Sequence, residues 1–263
     1  MEDQIQFGEV GVTTDAATHV AIVEMQRPPD NAVDIELIRN LADAVDHLEA
    51  DMQSRAIVLC SAGKHFCAGA RLGGEDPIKA AAGLPQNPLY AQALRLFRGS
   101  LPIVAAVQGA AVGAGLGLAL ASDIRVTCSE ARFAANFARL GTHPGFGISA
   151  TLPRLVGEAA ALDMLYTGRR VTGDEAVAMS LCQRLVPLGE VRSVAIEIAT
   201  DIAVSAPLSL RAIRRTMRAE LAHVVEQATI HEHEVQVALR GTEDYEEGVR
   251  AYGERRPPSF TGR

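Results

Sequence analysis

Residues 102–128 read PIVAAVQGAAVGAGLGLALASDIRVTC, and no charge appears in them before Asp123. By length alone, the uncharged run that follows Arg98 would cross a bilayer. Its composition argues otherwise. Pro102, Gln108 and the glycines at 109, 113, 115 and 117 interrupt it, and most of the remainder is alanine, too weakly apolar for insertion. The stretch divides better into a buried strand, PIVAAVQ (102–108), a turn at Gly109, a short helix from about Gly113, and a strand, DIRVTC (123–128). No membrane span is expected.

Working outward from that unit, the same alternation recurs. HVAIVEM (19–25) and RAIVLCS (55–61) read as buried strands, and RPPDN (27–31) is turn chemistry. DIELIRNLADAVDHLEAD (34–51) is an amphipathic helix whose apolar stripe is Ile38, Leu41, Val45 and Leu48. Residues 73–88 read as a loop, and NPLYAQALRLFRG (87–99) as a helix. This rhythm predicts parallel strands joined by right-handed helical crossovers. Beyond it the pattern predicts helices over 158–167, 173–181, 189–204, 207–219, 222–240 and 242–253, with QRLVP (183–187) as a strand between them. The division expected is an α/β core, 1–195, and a C-terminal helical subdomain, 196–263.

Composition narrows the partners. The formal charge of −7 argues against nucleic acid and leaves room for a small anion held in a local basic patch. The polar, acidic start MEDQIQFGEV does not read as a secretory leader, and Cys60, Cys67, Cys128 and Cys182 show no metal spacing. They are expected to be reduced thiols of a cytoplasmic protein. His231 and His233 are two apart on a helix without an H-E-x-x-H pattern, so no metal is expected there.

A glycine-rich turn opening a helix lets backbone donors approach an anion. A dinucleotide fingerprint needs a third glycine where Leu118 stands, and a P-loop needs a GK[ST] that is absent. What remains is an oxyanion site. A second such turn, HFCAGA (65–70), also follows a buried strand. Together the two turns could aim one N–H apiece at a single carbonyl oxygen.

In order, RPPDNAVD, SAGKHFCAGARL, PIVAAVQGAAVGAGLGLALASDIRV and FARLGTHPGFGISATLPRLVG resemble the crotonase superfamily of enoyl-CoA hydratases and isomerases. ALDMLYTGRRVTGDEAVAMSLCQRLVP, SAPLSLRAIRR and GTEDYEEGVRAYGERRPPSF extend the resemblance over almost the whole chain. It implies a crotonase-like spiral of ββα units with a C-terminal helical region. It also implies a homotrimer or dimer of trimers and an acyl-CoA ligand, with CoA as part of the substrate and no other cofactor. By motif the two oxyanion donors map to Ala68 and Ala114. The glutamates of the family's hydratases map to Gly117 and Phe137, and an aspartate of some isomerases maps to Gly145, so all three carboxylates are missing.

Among titratable groups, His143 is the candidate proton shuttle, because imidazole is the side chain that changes charge near neutral pH. Its alternative role is to fix the Pro144 turn. Along the acyl-CoA path the resemblance places Arg27, His65, Cys67, Ala70, Gly117 and Phe137. Arg71 stands where many relatives carry Asp, and a surface pairing with Glu75 or Asp76 is its simpler reading. Tyr90 is a further candidate. Arg211, Arg214, Arg215 and Arg218 put at least two cations on one helix face, expected to be solvated in preference to meeting the CoA 3′-phosphate. Two readings of function follow: an enzyme that stabilises a thioester enolate, or a carrier or sensor that keeps the site without turnover. Efficient hydration of crotonyl-CoA is expected to be absent.

Overall fold

QIQF and VGVTTD build an antiparallel hairpin at the start of the chain, β1 (Asp3–Phe7) and β2 (Val10–Asp15), which continues into β3 (Val20–Met25). The structure is a computed structural model, and it describes residues 3–70 and 77–263. The sequence patterns had not marked the first two strands, which are short and lie at the sheet edge. After β3 come α1 (Ile35–Asp51), β4 (Ala56–Ser61), α2 (Pro77–Ala80), α3 (Pro88–Arg98) and β5 (Ile103–Val107). β6 (Ala110–Val112), α4 (Ala114–Ala121), β7 (Ile124–Thr127) and β8 (Arg132–Ala134) follow. Then come α5 (Ile148–Val156), α6 (Glu158–Thr167), β9 (Val171–Thr172), α7 (Gly173–Ala178) and β10 (Arg184–Leu185). Three helices close the chain: α8 (Val191–Ala203), α9 (Pro207–Leu239) and α10 (Glu243–Gly253).

The main sheet has the order β1-β2-β3-β4-β5-β7-β10, parallel from β3 onward, and β6-β8-β9 form a second, small sheet. Every residue of β4 and β5 is buried, which is why both read as unbroken apolar runs. Leu41 and Val45 of α1 and Leu96 of α3 close over Val23, Ile57, Leu59 and Ile103 on one face. α8 packs across β3, β4, β5 and β7 through Val191, Ala195, Ala199 and Ala203, small residues that let the helix lie close to the sheet. The boundary expected between 195 and 196 therefore falls inside a helix of the core.

α1 shows how the local sequence sets an element. The Asp34 carboxylate caps it by accepting from the Leu37 N–H at 2.8 Å, and it also meets the Arg27 guanidinium at 2.5 Å. Asp34→Ala removes both contacts and is expected to lower stability by about 1–2 kcal/mol, read as an earlier urea midpoint at unchanged slope.

Where two helices were expected at 207–219 and 222–240, α9 runs unbroken for 33 residues over α3 and α5. Its buried face includes Arg211, Arg214, Thr229, Glu232, His233 and Gln236, polar residues that hide the helical period from a hydrophobicity reading. The arginines are not a solvated face. Arg214 and Arg218 grip the Asp123 carboxylate at 2.8 and 2.6 Å, while Arg211 donates to the Glu49 carbonyl at 3.0 Å and the Ser100 hydroxyl at 3.2 Å. Arg215 alone of the four is exposed. They tie α9 to the core and leave that helix face no cluster for a phosphate.

Among the described residues no single helix is long and apolar enough to cross a membrane. The uncharged stretch after Arg98 is divided among β5, β6 and α4, as its glycines and proline suggested, except that β6 was unforeseen.

Candidate active site

The two glycine turns lie against each other. Cys67 N–H donates to the Ala110 carbonyl at 2.9 Å and Val112 N–H to the Cys67 carbonyl at 3.1 Å, a short parallel ladder between the turns. α4 starts directly above it. A Cβ on Gly115 would stand 2.2 Å from the Cys67 carbonyl oxygen, so only glycine permits this approach. Gly69, at φ +100°, meets the Val112 carbonyl oxygen in the same way, 2.9 Å from a Cβ placed on it. What the glycines approach first is the other turn.

The seam sets Ala68 and Ala114 on its two sides. Ala114 opens α4, so its N–H has no acceptor within the helix. Ala68 differs from the expectation of a free donor: its N–H donates to the Asp30 carbonyl at 2.9 Å. The turn carrying Asp30 is held by buried Asn31, whose amide donates to the Ala62 and His65 carbonyls at 2.9 and 2.8 Å.

Aromatic side chains stand at or against the three positions to which the resemblance maps carboxylates. A Cβ on Gly117 would lie 2.7 Å from the Phe146 Cβ, and one on Gly145 would lie 2.0 Å from the Tyr90 hydroxyl. Phe137 is buried, with the end of its ring 3.9 Å from a Cβ placed on Gly113. Phe137 at Gly113 and Phe146 on Gly117 thus set two aromatic rings as a wall along the first turn of α4. Phe146 holds φ at +62°, a strained conformation for a bulky residue.

His143 begins the turn that carries Phe146, and it is half-buried. Its Nδ1 donates to the Pro144 carbonyl at 2.9 Å, and its ring packs edge-on against His231 at 6.0 Å. That bond puts a proton on Nδ1 and leaves Nε2 as the position for proton exchange. Three further side chains that the sequence reading did not single out for this turn come from α3 and α9. The Tyr90 hydroxyl donates to Gln236 at 2.6 Å, and the Gln236 amide donates to the His143 carbonyl at 2.9 Å. Glu232 is fully buried and accepts from Gly147 N–H at 2.8 Å, Ser149 N–H at 3.0 Å and the Ser149 hydroxyl at 2.6 Å. Burial pushes the Glu232 carboxyl above its ordinary range, and these three donors oppose that only in part. Burial likewise raises the Tyr90 phenol, which keeps it protonated. Glu232 lies between His231 and His233, a run read only for metal spacing, and Gln236 carried no signal.

The other expected contacts are distributed around the seam. The His65 Nδ1 accepts from Ala110 N–H at 3.1 Å and so ties the first turn to the second. Cys67 is fully buried and its thiol is pushed up to about 12 by burial, which makes it packing and not a nucleophile. Ala70 is exposed at the end of the first turn. The Arg27 guanidinium is committed to Glu9, Asp34 and the Ala32 carbonyl. Arg71, Glu75 and Asp76 lie outside the described residues. Among the described residues no group of three or more His, Cys, Asp or Glu side chains is placed to hold a metal ion.

The sequence pattern of the enoyl-CoA hydratase/isomerase family matches residues 15–263. The chain belongs to that family. It is 32% identical over 256 residues to the (E)-benzylidenesuccinyl-CoA hydratase of Thauera aromatica, covering 95% of this chain and 99% of the relative. With enoyl-CoA hydratase EchA19 of Mycobacterium tuberculosis it shares 32% identity over 93% of this chain and 94% of the relative. A crystal structure of an enoyl-CoA hydratase/isomerase from Pseudoalteromonas atlantica superposes with a TM-score of 0.85 at 28% identity, over 96% of this chain and all of that one. This crotonase-superfamily chain has the family's mixed α/β core with its helical C-terminal region. It carries glycine at 117 and 145 and phenylalanine at 137, where the resemblance called for acids.

Proposed function

We propose that this crotonase-family chain binds an acyl-CoA thioester and stabilises its enolate oxyanion with the backbone N–H groups of Ala68 and Ala114, without a carboxylate pair for hydration. The observation that supports this reading is the seam between the two turns, a main-chain ladder with the His65 ring bonded across it, beside which Ala68 and Ala114 stand. The thioester oxygen takes the place of the Asp30 carbonyl at the Ala68 N–H and meets the Ala114 N–H at the α4 N-terminus. Loss of a proton or of a carboxyl group from the α-carbon puts negative charge on that oxygen, and each donor then supplies roughly 3–4 kcal/mol.

The proton inventory is what sets this chain apart from a hydratase. Adding water across an enoyl double bond needs one group to take a proton from water and one to give a proton to carbon. The wall at 113, 117, 137 and 146 offers neither. Nε2 of His143, a substrate-borne group or an ordered water has to serve, and each missing acid or base costs roughly 10²–10⁴-fold.

The test is a mass-resolved time course with crotonyl-CoA and longer enoyl-CoAs, wild type beside His143→Ala. No rapid formation of 3-hydroxyacyl-CoA is expected. Rapid formation would show a catalytic pair outside this account, and its loss in the variant would assign that pair to His143. Calorimetric titration with octanoyl-CoA accompanies it, and a dissociation constant in the micromolar range or below is expected. Failure to bind sinks the acyl-CoA reading.

The engaged Ala68 N–H and the aromatic wall support a second reading, a carrier or sensor of acyl-CoA without turnover. Tight binding with no conversion of any thioester would favour it. For assembly we assign a trimer or dimer of trimers. Supporting it, Ile213, Met217 and Val224 are exposed at spacings of four and seven along α9. Light scattering on the eluted protein reads the state directly, and a monomer would reject the assignment.

A further inference from the structure

We infer that Glu232, on α9, is a positioning residue of the acyl site: its carboxylate fixes the turn that presses Phe146 onto Gly117 and so sets which acyl groups the site admits. The inference rests on the acyl-CoA reading above.

α5 has no side-chain cap of its own, because the residue before it is Gly147. Glu232 supplies the missing acceptor from another helix. One carboxylate oxygen takes Gly147 N–H, and the other takes both the N–H and the hydroxyl of Ser149. Each carboxylate oxygen faces a backbone N–H, of Gly147 on one side and Ser149 on the other, so both oxygens must accept. An amide at 232 would turn an NH₂ toward at least one N–H or hydroxyl proton, and the clamp would open. Val225 and Gln236 lie on the same face of α9. Val225 packs against Gly147, where an added Cβ would meet it at 2.7 Å, and Gln236 holds the His143 carbonyl at 2.9 Å.

The clamped segment includes Phe146, which is buried in the strained conformation at φ +62° with its ring edge-on to Tyr90 at 6.5 Å. Such a conformation persists only when the surroundings over-determine it. Here the constraints come from both sides of the residue, Gln236 at 143 and Glu232 at 147 and 149. Releasing Glu232 lets Phe146 relax to an ordinary backbone conformation and withdraw from Gly117. Space then opens at Gly117, one turn along α4 from Ala114, where the proposed function puts the acyl group. A residue that only stabilises the fold would weaken all ligands alike. A positioning residue changes their ratio.

The experiment measures calorimetric affinity for acetyl-CoA and octanoyl-CoA in wild type, Glu232→Gln, Phe146→Ala and the double variant. Both single variants are expected to shift the affinity ratio toward octanoyl-CoA by tenfold or more. Adding Glu232→Gln to Phe146→Ala is expected to move it by less than twofold further, because the two act through one element. Ser149→Ala, which removes one donor of the clamp, is expected to shift the ratio severalfold in the same direction. It carries the test if Glu232→Gln does not fold. A ratio unchanged within twofold in the folded variants overturns the inference, as do additive shifts in the double variant. If the wild type binds neither thioester, the acyl-CoA reading falls and this inference with it. If the wild type binds both and the ratio ignores position 232, this inference alone falls.

Discussion

Gly117→Glu, the substitution that places a glutamate where the proposed function puts the hydratase acid, is expected to unfold the protein and yield no hydratase. The Cβ it adds would stand 2.7 Å from the Phe146 Cβ and 2.8 Å from Cδ1, so Phe146 must be displaced before the new side chain fits. Overpacking costs about 1–3 kcal/mol, and a buried carboxylate with no partner adds about 3–5 kcal/mol. The sum rivals the whole stability of a typical domain, about 5–15 kcal/mol. Gly117→Ala carries only the first part and is expected to fold with a urea midpoint lowered accordingly. A folded Gly117→Glu protein that hydrates crotonyl-CoA would show that Phe146 yields easily, and would remove the steric account of the missing acid.

Asp123→Ala is expected to cost about 3–5 kcal/mol, because it leaves two arginine side chains without their carboxylate. Arg214 Nε donates to Asp123 at 2.8 Å and Arg218 Nε at 2.7 Å, and the same carboxylate accepts from Ile103 N–H at 2.8 Å. Burial by itself would raise the Asp123 carboxyl, but the two guanidinium groups outweigh it and hold the group below its ordinary value. The sign of the pH dependence follows. A carboxylate with a depressed folded-state pKa contributes stability above its unfolded value, about 3.9, and loses it as pH falls through the folded value. The difference in unfolding free energy between wild type and Asp123→Asn is therefore expected to be flat above about pH 5 and to shrink as the pH drops below about 4. A difference that grows on acidification would contradict the pairing.

Much of the fold was legible because the central strands are buried on both faces. AIVLCS and IVAAV contain no polar interruption between Ala56 and Cys60 or between Ile103 and Val107, so their reading needed no tertiary knowledge. The edge strands β1 and β2 gave no such run. The single long α9 was read as two helices because its inner face carries Arg, Thr, Glu, His and Gln, paired one by one with partners distant in sequence. The same cause hid the clamp. Glu232 finds Gly147 and Ser149 across more than eighty positions, and no spacing rule links them. The site was legible in part. Two small-residue turns after buried strands were read together, and the structure lays them side by side, whereas the reading of 117, 137 and 145 as acid positions comes from the resemblance alone. The packing of Phe146 on Gly117 and of Tyr90 on Gly145, and the hold of Asp30 on the Ala68 N–H, belong to the folded chain only.

The seam between the glycine turns has an evolutionary consequence. Its ladder runs from main chain to main chain, with the His65 ring bonded across it, so many of the side chains around Ala68 and Ala114 can change while the ladder persists. On the proposed function, the backbone geometry of the site is insulated from most changes in the groups that move protons. Position 115 abuts the Cys67 carbonyl and 117 the Phe146 side chain, so a new acid or base is better selected at 137 or 143.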